Sequence, residues 1–294
     1  MCARCPTAVQ AAAERDGHDR FGWTLRESLA RRPSNPDHGT VTIFSVVVVI
    51  AAVVLTLAVA IVVGRRPVSD TTERDSDSRS FVGAVLSGLF IVVLAFYVVI
   101  AWTESDTAES NALAEASALA DLHYQVEVAP EAQRERIRTG VEDYARLVAD
   151  DEWDKLADGG RSEAATTALN SLRTEVVHLP TTPEQVQIAR DRGMERVREI
   201  SDLRRARLDQ AQGLSPTGYL MLVATIIGAI AMIGYPILVG TTTRARHLIA
   251  LGVMAGAVAF TCVLCLDIAQ PFRGDLKVEP DAFVTLSEEL RSVT

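Results

Sequence analysis

FVGAVLSGLFIVVLAFYVVIAW occupies residues 81–102, and TESDTAESNALAEASALADL follows it directly over 103–122. The first stretch has 22 residues and no charge. At about 1.5 Å per residue it spans a hydrocarbon core of roughly 30 Å. The second stretch has neither Gly nor Pro and is dominated by Ala, Leu, Glu and Ser. Nothing in it stops a helix at the membrane surface. The two together predict one continuous helix that crosses the bilayer and projects into water.

Three further apolar runs lie at residues 41–63, 217–239 and 248–266. Four such runs in a 294-residue chain that is 48% hydrophobic exclude an ordinary soluble globule. Each run must be helical, because lipid offers no partner to an open backbone. That constraint outweighs the strand preference of Val46–Val49. The fold class expected is all-α: an integral membrane protein with four transmembrane helices and a helical water-exposed domain inserted between the second and third. The divisions are a disordered tail over 1–40, a first helix pair over 41–102, the helical insert over 103–216, a second pair over 217–271 and a tail over 272–294. For the tail over 1–40 a start codon placed too early is an equal reading, and Phe21, Trp23, Leu25 and Leu29 would suit a short interfacial helix. Val41–Val63 is read as a retained span rather than a signal peptide.

Within the insert, Pro130 suits the start of a helix. Ile137, Val141, Tyr144 and Leu147/Val148 recur at helical spacing, as do Ala165, Ala168/Leu169, Leu172, Val176 and Leu179. Thr182, Pro183 and Gln185 read as an N-cap, a first-turn proline and a capping-box glutamine. The helix that follows carries Val186, Ala189, Gly193, Val197, Ile200 and Leu203 on one face and ends near Gly213 and Pro216. Arg204, Arg205 and Arg207 approach the membrane. Pro236 removes one backbone donor inside the third span and serves packing or gating.

The net charge of −9 comes from the insert, where residues 103–216 hold 23 acidic against 14 basic side chains. This excludes nucleic acid as a partner and docking of the insert on anionic lipid. Cys2 and Cys5 form one C-x-x-C pair, Cys262 and Cys265 another. Neither has a second half for a four-ligand metal, so no metal is expected. His18, His38, His123, His178 and His247 are scattered, and no catalytic or nucleotide-binding motif occurs. No enzyme and no cofactor is expected.

The stretches LSGLFIVVLAFYVVIAW, TESDTAESNALAEASALADLHY and LDIAQPFRGDLKVEPDAF resemble the bacterial bestrophin-like membrane proteins, which in turn resemble the bestrophin ion channels. The likeness runs over roughly residues 41–290. It implies a homo-oligomer, a pentamer in true bestrophins, with the second-span helix lining a pore. By the family's four-residue spacing the pore neck falls on Gly88, Val92 and Phe96. Apolar rings at that spacing make a narrow, poorly wetted constriction. Just outside the span Glu104, Asp106 and Glu109 would ring a vestibule and favour cations, with Glu115 farther along. The C-terminal motif comprises Asp267, Pro271, Phe272 and Asp275. Arg273 stands where animal bestrophins have glycine, and the acids are too sparse for a calcium clasp, so calcium is not carried over. Asp267, at the end of the fourth span, is either a functional charge or one satisfied by water or Arg273.

The function expected is a homo-oligomeric ion channel with inorganic ions and the lipid bilayer as partners. The alternative is a non-conducting membrane-anchored sensor or scaffold whose four-helix domain binds a ligand or partner. The location expected is the bacterial inner (plasma) membrane, multi-pass, with both termini and the insert on the cytoplasmic face. Eight basic residues near the membrane on that face, Arg204, Arg205 and Arg207 among them, against six in the opposite loops leave the orientation open on charge alone.

Overall fold

The structure, a computed structural model, describes residues 39–63, 73–239, 245–274 and 276–293. The described residues form helices and turns with no strand. Four helices are long and apolar enough to cross a membrane. They are α1 (Gly39–Val63), the outer part of α2 (Glu73–Gln125), α7 (Pro216–Val239) and α8 (Ala245–Ile268).

α2 is the longest element, 53 residues or about 80 Å at 1.5 Å per residue. It begins eight residues earlier than the apolar run, so the segment Glu73–Ser80 is helical as well. Inside the membrane α2 packs antiparallel on α7, and α1 packs antiparallel on α8. Small residues set these approaches. A Cβ on Gly228 would fall 2.9 Å from the Phe90 ring, and one on Gly83 would fall 3.0 Å from the ring of Tyr235. Gly252 and Gly256 face Val53, with Leu57 also against Gly252. α7 continues through Pro236 without ending there.

Outside the membrane α2 runs on against α6 (Glu184–Ala211). The alanines Ala108, Ala112 and Ala116, one turn apart and buried, present little bulk. A short 3-10 turn over Val126–Val128 leads to α3 (Glu131–Leu147). One π-helical turn (Val148–Glu152) joins α3 to α4 (Trp153–Leu156). α5 (Glu163–Val177) is capped by Ser162, whose Oγ accepts from the Ala165 N–H at 3.1 Å. The expected stripes Ile137, Val141, Tyr144 and Ala165, Leu169, Leu172, Val176 are buried and form the domain core with Leu119 and Leu122 of α2.

Three expectations change. Pro183, not Thr182, holds the N-cap position of α6, and no side chain caps it, because proline carries no side-chain acceptor; the Pro183 carbonyl accepts from the Val186 and Gln187 N–H groups. The tail over 272–294 is not separate from the helical insert. Its helix α9 (Asp281–Val293) buries Ala282, Phe283, Leu286 and Leu290 in the same core, against α2 and α3. The inward face of α6 continues past Ile200 through Arg204, Arg207 and Ala211 rather than Leu203. The tail over 1–40 lies outside the described residues except Gly39 and Thr40, and Cys2 and Cys5 lie there too.

Candidate pore-lining face and the charges that anchor it

α2 has two unlike faces. Phe90, Tyr97, Ala101 and Ala108 are buried on one. On the other lie Gly88, Val92, Val99, Thr103 and Asp106, all exposed in the single chain. At 100° per residue these five fall within an arc of roughly 60°, with Phe96 at its margin. Val92 keeps 52% and Phe96 60% of its surface, and a Cβ on Gly88 would meet nothing within 4 Å. The three expected neck residues therefore share an unpartnered strip. That strip runs unbroken from lipid depth to the carboxylate of Asp106.

The three acids expected just outside the span do not share it. Asp106 does. Glu109 lies to one side, lining a cavity of about 280 Å³ with Lys277, Glu279 and Asp281 of the C-terminal segment. Glu104 points roughly 160° away from Asp106, toward the start of α7. There the Ser215 hydroxyl donates to Glu104 Oε1 and accepts from the Gly218 N–H at 3.0 Å. Gly218 has no side chain, so the carboxylate rests on the first turn of α7, where the helix dipole favours it. Glu104 thus ties α2 to α7.

Glu115 is buried completely, so it does not face a vestibule. Arg207 Nε donates to Glu115 Oε2 at 3.1 Å and Arg207 Nη2 to Oε1 at 3.0 Å. Tyr144 donates its hydroxyl to the same Oε1 at 2.6 Å. Arg207 Nη2 also lies 3.0 Å from Glu152 Oε1. Glu152 in turn takes Arg204 Nε at 3.1 Å, Arg204 Nη2 at 2.5 Å and the Ser162 N–H at 3.1 Å. Arg204 Nη2 reaches on to Thr166 Oγ1 at 2.9 Å. Two guanidinium and two carboxylate groups therefore close on each other inside the domain. The π-helical turn carries Glu152 into it.

Burial alone would raise the Glu152 carboxyl and lower the Arg207 guanidinium, but their partners outweigh it. Arg204 hydrogen bonds and the Arg207 charge hold Glu152 below the usual carboxylate range. Glu115 holds Arg207 firmly protonated. Burial and the Glu115 charge push the Tyr144 hydroxyl well up. Farther along α2, His123 is 3% exposed, and burial with the Arg138 charge lowers its imidazole. Tyr124 lies open beside it. His178 is exposed, its Nδ1 2.7 Å from the Thr174 carbonyl.

The C-terminal motif closes over this network. The Arg207 guanidinium lies 5.4 Å from the ring centres of both Trp153 and Phe283. Phe272 packs edge-on to Trp153 at 5.6 Å. Trp153 Nε1 donates to the Val278 carbonyl at 3.0 Å, and the Val278 N–H donates to the Pro271 carbonyl at 2.7 Å. Arg273 Nε donates to the Ala157 carbonyl. The Asp267 carboxylate fills the space where Gly274 lacks a side chain. Asp275 lies outside the described residues. Cys262 and Cys265 are free thiols, and among the described residues no group of three or more His, Cys, Asp or Glu side chains is placed to hold a metal.

The sequence profile of the Bestrophin-like domain matches residues 50–283. No curated protein sequence matches the chain. The fold is similar to crystal structures of a bacterial bestrophin homologue from Klebsiella pneumoniae, solved as single-substitution variants. One superposes with a TM-score of 0.62 at 10% identity over 87% of this chain and 98% of that one. Two others give 0.61 at 10% identity and 0.60 at 12%, each over 83% of this chain and 98% or 99% of the other.

Proposed function

The chain belongs to the Bestrophin-like family, and from that premise we propose that it is an ion channel built from a ring of identical chains, five in number, with α2 around the axis. The observation that carries the reading is the unpartnered strip on α2. A helix of 53 residues is packed along one side by α6 and α7, yet keeps Gly88, Val92, Phe96 and Asp106 free on the other. Copied about an axis, Val92 and Phe96 form apolar constrictions, and Gly88 leaves a wider level above them. Asp106 supplies a ring of negative charge at the mouth, with Glu109 beside it, which attracts cations and repels anions.

The buried charges serve this arrangement. They fix α6 and the C-terminal segment to the part of α2 that leaves the membrane, so the strip is held straight from lipid to water. The reading places the insert and both termini on one face of the membrane, and that face in the cytoplasm. Charge counting bears on this less than the sequence implies, because Arg204 and Arg207 are neutralised by Glu115 and Glu152. The test combines subunit counting of the detergent-purified protein by cryo-EM with cation flux into liposomes. A ring with an axial passage and flux above empty liposomes is the expected result. A monomer without flux would favour the membrane-anchored sensor or scaffold.

A further inference from the structure

Two hydroxyls inside the membrane bundle have no partner. Tyr97 on α2 and Thr225 on α7 keep no exposed surface, and neither the Tyr97 hydroxyl nor Thr225 Oγ1 makes a hydrogen bond. Thr225 does not donate to the carbonyl one turn back, as Thr56, Thr103 and Thr261 do. Helix register brings the two together. α2 and α7 run antiparallel, with Phe90 against Gly228 and Glu104 against Gly218. Tyr97 and Thr225 both fall between these two contacts, on the buried faces. α8 closes the third side. It runs antiparallel to α1 and so parallel to α2. Cys262 packs with Phe90 and Val258. Cys265, seven residues past Val258, therefore stands level with Tyr97, seven past Phe90. The Tyr97 hydroxyl is close enough to both sulfurs for their charges to interact. The two cysteines are free thiols one turn apart on α8, with Cys265 buried.

A buried hydroxyl without an acceptor is costly, and a protonated thiol accepts only weakly. We propose that Cys262 and Cys265 hold one soft monovalent metal ion, Cu(I), between two thiolates, with the Tyr97 and Thr225 hydroxyls donating to the sulfurs. Thiolates are the ligands that select Cu(I), and two of them on one helix face suffice for two-coordinate binding. On loading, two S–H bonds break, two S–Cu bonds form and two protons leave to solvent. The metal stays Cu(I). The unit then carries one net negative charge where lipid offers no water, and the two hydroxyl donors offset it. The thiolates supply the acceptors that the interior otherwise lacks. The site belongs to one protomer and does not depend on conduction.

The experiment uses the full chain in detergent with Cys2→Ser and Cys5→Ser, which leaves Cys262 and Cys265 as its two cysteines. Cu(I) is titrated under anaerobic, reducing conditions against a colorimetric chelator, and copper per chain is counted after desalting. One Cu(I) per chain is the expected result. Cys262→Ser or Cys265→Ser should abolish it. Tyr97→Phe and Thr225→Val should each weaken binding by about tenfold, the lower end of what loss of a hydrogen bond to a metal ligand costs. Neither should lower the melting temperature of the metal-free protein, since each removes a hydroxyl that bonds nothing there. A parent that retains no copper, binding that survives either serine variant, or unchanged affinity in either hydroxyl variant overturns the proposal.

Discussion

Arg207 and Glu115, separated by 92 positions in the chain, meet through two parallel hydrogen bonds of 3.0 and 3.1 Å with no exposed surface on either side chain. The pair bolts the water-exposed half of α2 to α6. Removing one member leaves a buried charge without its partner, and such losses cost about 3–5 kcal/mol. Arg207→Leu should therefore lower the melting temperature sharply in detergent. Glu115→Leu added to Arg207→Leu should recover part of the loss, because the stranded carboxylate disappears. A double variant no more stable than Arg207→Leu would show that the pair is not the source of the effect.

Acid should weaken the domain in two stages. The His123 imidazole is lowered in the folded protein, so the unfolded chain takes up its proton first as pH drops below 6.5. Stability then declines until the folded imidazole also titrates. The Glu152 carboxyl is depressed, so its contribution is complete above 4.5 and is lost as pH falls through the lower folded value. Denaturant titrations between pH 7 and 3 should show both limbs. His123→Leu should flatten the first and Glu152→Gln the second.

Gly274 has φ +84°, and a Cβ there would coincide with the Asp267 carboxylate. Gly274→Ala meets both obstacles. Left-handed backbone alone costs roughly 1–2 kcal/mol for a residue with a side chain. The variant should release the segment that carries Phe272 and Phe283, and limited proteolysis should cut it ahead of α9. Uncut protein under conditions that leave the parent intact would place the restraint elsewhere.

The two faces of α2 should respond oppositely to added bulk. Gly228→Val presses on Phe90 and should destabilise the α2–α7 pair by about 1–3 kcal/mol, the usual range for overpacking. Gly88→Val meets open space within its own chain, so a single protomer should tolerate it. Melting of the two variants, followed in detergent, separates these outcomes.

Conduction tests the proposed pore. Phe96→Ala should raise single-channel conductance in planar bilayers by removing the bulk at the constriction. Asp106→Asn should shift the reversal potential under a salt gradient toward lower cation preference, while Glu104→Gln should act on stability more than on selectivity. Unaltered currents in Phe96→Ala would put that ring against lipid or a neighbouring helix.

The sequence alone determined the four membrane-crossing helices, the helical insert and the long α2, because run length and the absence of breakers depend only on local chemistry. The stripes on α3, α5 and α6 were legible for the same reason. So was a clue that points further. The spacing Val186, Ala189, Gly193, Val197, Ile200 continues unbroken to Arg204 and Arg207, and Ala108, Ala112 continues to Glu115 and Leu119. Charges on a buried stripe must find opposite charges.

Tertiary structure decided which ones. Glu115 and Arg207 reach each other only when α2 and α6 lie side by side, and Glu152 joins them only through a π-helical turn that has no sequence signature. The same packing turned Glu104 toward Ser215 and left Asp106 on the open strip, although both are acids two residues apart. Spacing fixes the direction of a side chain around its own helix. What waits in that direction depends on where the neighbouring helices are, and long-range packing alone sets that.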